Sequence, residues 1–327
     1  MKQRGLVNKK DRTIVQSLRA IALRIGACLL VLSLTATLQG GAAAAQQQRT
    51  FSSPEEAARA MTDALRKDDR PDLAAIFGKG AQGILPSGDP VADKNEVQNF
   101  LKSYDQMHRF SHGPDGKLFM IVGAENWPMP IPLDKNSAGW YFDTAYGKEE
   151  LLFRRIGRNE RSAVAILNAI VAAEHEYCDQ THDNGATKEY AQKFLSDQGK
   201  HNGLYWKPAA GEPESPIGPL VAQASQEGYR AHPQGKPIPV RGYYFKILTK
   251  QGKDAPGGAK DYVADAKMTN GFAVLAYPAT YRSSGVTTFL VGADGNVMQK
   301  DLGPGTDALA KAIDTYDPDK SWQPAQQ

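Results

Sequence analysis

Apolar residues in this chain alternate twice between helical and strand spacing, and that order restricts the fold more than any other feature. Ser52 or Ser53, followed by Pro54, Glu55 and Glu56, reads as a helix start. Ala57, Ala58, Met61, Ala64 and Leu65 supply its apolar stripe. Leu73, Ala74, Ile76 and Phe77 suggest a second short helix, and Val97, Phe100, Leu101 and Tyr104 place a third over 94–107. Strand runs follow at 117–122, 129–133 and 139–143, with Asp134–Ser137 as a hairpin loop, and 147–155 closes the region as a short helix.

The pattern then repeats. Asn159 reads as an N-cap for a longer helix carrying Ala163, Ile166, Leu167, Ile170, Val171 and Tyr177. Helical spacing is expected over 189–195 and 220–227, a Pro- and Gly-rich loop over 199–219, and a last helix over 307–316. Strands are expected at 243–249, 262–268, 272–277, 286–291 and 297–300, the last two joined by a tight turn at Ala293–Asn296. Helices followed by neighbouring strands, twice over, give an α+β fold with antiparallel sheets. The expected division is 1–45 as a leader, 46–156 as one α+β domain and 157–327 as a second.

The leader has the three parts of a secretory signal peptide. Seven basic residues face the single acid Asp11 before an apolar run from Ile25 to Leu34, and small residues end it. Cleavage is expected between Ala45 and Gln46. The run is shorter than the ~20 residues of a spanning helix, so no transmembrane anchor should remain after cleavage. The expected address is periplasmic or secreted. Loss of the leader turns the formal net charge from +3 to −3, which argues against nucleic acid as a partner. Cys178 would then be the only cysteine left, which excludes an internal disulfide.

The first half, through "SSPEEAARAMTDALRKDD" and "GWYFDT", resembles the cone-shaped nuclear-transport-factor-2-like fold. The second, through "AAEHEY", "GYYFKIL", "GFAVLAYPATY" and "SGVTTFLVGADGNV", resembles the globular part of type IV pilins and pseudopilins. It departs from pilins at its start, because no apolar half-helix precedes Asn159. Across nearly the whole length, "WPMPIPL", "RRIGRNE", "GLYWKPAAGEPESPIGPLVAQA" and "QKDLGPGT" identify the chain as a member of the exported bacterial family called domain of unknown function 2950. That resemblance implies export and a bacterial envelope setting, and it brings no catalytic residues.

Residues suited to chemistry are sparse, and the catalytic residues stay unknown. Asp179, Asp183 and Glu189 flank a polar turn that faintly follows calcium-loop spacing, with Gly185 one place late. Calcium is the one metal this pattern suggests, no other cofactor is expected, and a plain polar turn fits better. His108 and His112 lie four apart without the glutamate of a zinc-protease motif. Glu174, His175 and Glu176 are adjacent on a helix and face different directions. Trp127, Tyr205 and Trp206 sit in Pro-rich loops and are the best binding candidates. The leading expectation is a non-enzymatic envelope module that binds a protein or surface polymer. Alternatives are a periplasmic hydrolase with its site in the N-terminal cone or between the domains, and a calcium or small-molecule binding protein.

Overall fold

The computed structural model describes residues 48–230 and 236–325, so the leader and its expected cleavage point at Ala45–Gln46 lie outside the described residues. The fold is α+β. Gln46–Gln327 is one compact unit, and its buried apolar residues gather into two clusters.

The first cluster is built on three helices and a sheet. Helix α1 (Pro54–Lys67) is capped by the Ser53 hydroxyl, which accepts from Glu56 N, while Glu55 and Glu56 sit at its positive end. Helix α2 (Arg70–Phe77) is capped by Asp69. Helix α3 (Pro90–Gln106) starts at Pro90 rather than at Lys94, because the Asp89 carboxylate accepts from Val91 N and Ala92 N. Strands β1 (His108–His112), β2 (Leu118–Val122), β4 (Leu133–Asn136) and β5 (Gly139–Phe142) form an antiparallel sheet in that order, with the short β3 (Trp127–Pro128) also paired to β2. Strand β1 lacks apolar alternation and is mostly exposed, which is why periodicity does not reveal it. The β4–β5 turn falls at Asn136–Gly139, later than expected, because the Asn136 side chain accepts from Ala138 N and Gly139 N.

Helix α4 (Thr144–Cys178) runs unbroken for 35 residues and joins the two clusters. The expected pause between Arg155 and Asn159 is absent. An interior glycine such as Gly157 costs only about 1 kcal/mol of helix stability, which packing of both ends can offset. Asn159 is no cap: its Nδ2 donates to Ser284 O at 2.9 Å. Near the start of α4, Gly147 lets the helix lie directly on the chain at Pro130–Ile131, where an added Cβ would fall 2.4 Å from Pro130 O.

After α5 (Gly218–Gln226), the second cluster forms around β6 (Tyr243–Leu248), β7 (Ala273–Pro278), β8 (Thr287–Gly292) and β9 (Val297–Asp301). Helix α6 (Thr306–Ala312) and the short β10 (Gln323–Pro324) complete it, and the sheet order β6-β7-β8-β9-β10 is an antiparallel meander. Every residue of β7 is buried. Two expectations fail nearby. Residues 189–195 form no helix, and Tyr190 bridges Met268 while Leu195 bridges Tyr205. The strand expected over 262–268 is a small hairpin turning at Asp265 and Ala266, both with positive φ.

A polar seam ties the halves together. Asp89 is fully buried, and its second carboxylate oxygen accepts from the Tyr229 hydroxyl and from Gly242 N, each at 2.8 Å. Glu160 accepts from Val286 N and Thr287 N at 3.0 Å. Among the described residues, no helix is long and apolar enough to cross a membrane.

Candidate functional site

Between α1, α3, the sheet and the first turns of α4 lies a cavity of about 370 Å³. That volume falls at the lower end of the ~300–1,000 Å³ typical of small-molecule sites. Its wall is mainly apolar, with Met61 and Leu65 from α1, Phe77 from α2, Phe100 from α3, and Met129 and Ile131 after β3. Trp127 stands at the wall with 42 % of its surface exposed, its ring edge-on to Phe100 at 6.5 Å between centroids.

The polar side of the cavity comes from α4. Leu151, Arg154, Arg155 and Arg158 recur at helical steps and line the same void. Arg154 is occupied: it donates to Glu150 and to Pro128 O, and its guanidinium lies 5.5 Å from the Trp127 ring centre. Arg158 is paired with Glu96 from α3. Arg155 differs from both. It is only 5 % exposed, its Nη2 donates to Ile84 O at 2.6 Å, and its Nε and Nη1 have no hydrogen-bond partner among the described residues. A buried charge with unmet donors is costly unless something accepts from it. Burial holds the Glu96 carboxyl above its usual range, against the opposing pull of Arg158 and Arg155.

The three arginines escape a reading of the sequence because Arg154 and Arg155 fall at the end of the short helix expected over 147–155 and Arg158 in the break expected after it. A usable signal is nonetheless present: Arg155 falls at helical spacing on the face that goes on to bury Asn159, Ala163, Ile166 and Ile170, where a solvated cation has no place.

The other candidates scatter. Trp206 belongs to the second cluster, half-buried against His201, with ring centres 4.4 Å apart and stacked, and near His182. Tyr205 also packs on that cluster and donates its N–H to Phe194 O. Trp127 and Trp206 thus line different cores. His108 and His112 both lie on β1, and His108 stacks on Tyr104. No group of three His, Cys, Asp or Glu among the described residues is placed to hold a metal. Asp183 instead accepts from His201 N, and Glu189 pairs with Lys267. Glu174 is fully buried and accepts from Ala191 N with one oxygen, and burial pushes its pKa up to about 8.

A family model described as "Protein of unknown function (DUF2950)" matches residues 48–325. No curated protein and no solved structure matches the chain.

Proposed function

The chain belongs to the DUF2950 family of proteins of unknown function, and from that premise we propose that it is a binding protein whose cavity takes up a small, largely apolar molecule. The observation that carries this reading is the cavity itself. A concave, largely apolar cleft of this size that opens to solvent and carries a few polar groups is the usual form of a small-molecule site. In the second cluster of the same chain every residue of β7 is buried. The sequence of the leader supports action outside the cytoplasm, in the periplasm or beyond.

Binding is favoured over hydrolysis because Glu96 is the only carboxylate among the lining residues, and it is already paired with Arg158. General acid–base catalysis by carboxylates uses two such groups with separated pKa values. The binding surface expected across both halves gives way in this proposal to a cleft in one of them.

The test is fluorescence titration of residues 46–327 with N-phenylnaphthylamine, a neutral apolar probe that brightens out of water. The proposal expects saturable binding that Val97→Phe, which fills the cavity from α3, weakens at least about tenfold. Equal binding by the folded variant would place the probe elsewhere and defeat the reading.

A further inference from the structure

We propose that the cavity ligand is a monoanionic amphiphile, an aliphatic chain ending in one carboxylate, with Arg155 as the residue that selects the head group. This rests on the cavity-binding reading and specifies its chemistry.

The three lining arginines are not equivalent. Arg154 and Arg158 already have acceptors, Glu150 and Pro128 O for the first and Glu96 for the second. Arg155 has one, Ile84 O, and is the most deeply placed of them at 5 % exposure. Its Nε and Nη1 are buried without a protein acceptor among the described residues. A guanidinium presents its donors in a planar fork that matches a carboxylate with two parallel hydrogen bonds. Each such two-donor edge pairs Nη2 with either Nε or Nη1, and Nη2 keeps a second N–H beyond the one given to Ile84 O, so a carboxylate can take the edge that Ile84 leaves open and also balance the charge.

Charge argues for a single negative head. Glu96 balances Arg158 and Glu150 balances Arg154, which leaves Arg155 as the one lining arginine without a carboxylate partner among the described residues. A monoanion next to Arg155 balances that one charge, whereas a dianionic phosphate would leave a negative charge over, close to Glu96. Apart from Asn99 and Ser103, the rest of the wall, from Met61 and Leu65 to Met129 and Ile131, offers a chain apolar surface. Trp127 at the wall, exposed on one side and flanked by Arg154, is suited to cover the chain once it has entered.

Displacement of bound N-phenylnaphthylamine by decanoate, decanol and decyl phosphate tests this on the folded chain 46–327. Decanoate is expected to displace the probe at a concentration at least about tenfold lower than decanol, the margin of a hydrogen bond to a charged group. In Arg155→Met, with each ligand scaled to that variant's own probe affinity, the difference between decanoate and decanol should be erased. Arg155→Lys, which keeps the charge and loses the fork, should restore only part of it. A purely structural role for Arg155 would weaken all ligands together and leave their ratio intact, which would overturn the assignment. Equal displacement by decanoate and decanol in the unaltered protein would also overturn it while leaving the cavity reading standing. Stronger displacement by decyl phosphate would overturn the monoanion choice. Failure of the probe itself to bind would instead count against the cavity reading.

Discussion

The two cores of this molecule share one helix and use it in opposite ways. From Ala163 to Tyr177, α4 gives small and branched apolar residues to a cluster in which Leu167 and every residue of β7 lie buried. From Leu151 to Arg158, the same helix gives one leucine and three arginines to the wall of a cavity. The lesson is that helix continuity says little about the environment along it. The C-terminal core spends its apolar residues on closure, and the N-terminal core leaves room and places charge beside it.

That contrast is open to direct attack. The largest effect is expected from Leu275→Ala in β7, where a fully buried side chain would leave a void: urea unfolding should show a loss of about 4 kcal/mol. Asp89→Ala should come next at about 3 kcal/mol, because Tyr229 and Gly242 N lose a buried acceptor. It should also split a single unfolding transition into two, since the seam couples the halves. A single unshifted transition would show that α4 alone holds them together.

A third effect is set by pH and belongs to the closed core. Burial raises the Glu174 carboxyl from an ordinary 4.5 to about 8. The folded state therefore binds its proton more tightly than the unfolded chain does. The stabilisation is fully present below about 4.5 and is lost as pH rises toward 8, at up to roughly 1.4 kcal/mol per pH unit. Relative to Glu174→Gln, the unaltered protein should lose stability across that window in paired urea titrations. Parallel curves would mean that the carboxyl is not held neutral. The smallest effect is expected from Leu151→Ala, about 1 kcal/mol, because this side chain already borders open space. If it matched Leu275→Ala, the distinction between the two cores would fail.

Much of the scaffold was legible from local chemistry. Ser53-Pro54-Glu55-Glu56 announces α1, and Asp294-Gly295 marks the β8–β9 turn, where Gly295 N donates to Gly292 O. Both signals act within a few residues. What escaped depends on distant partners. Gly157 and Asn159 resemble a helix boundary in isolation, yet Asn159 reaches across to Ser284. Strand β1 exists through its pairing with β2 rather than through its own pattern. The candidate site was legible in part: Trp127 was singled out and stands at the cavity wall, whereas Trp206 packs against His201 in the other core. A cavity has no sequence signature, since it is the distance between elements that nothing fills.

The central claim, that the N-terminal core is a ligand chamber, is tested most directly by a crystal structure of residues 46–327 grown with decanoate. Chain density is expected along Met61, Phe100 and Ile131, with the carboxylate within hydrogen-bond reach of Arg155. Decanoate bound only on the surface, with the cavity closed by its own side chains, would contradict it.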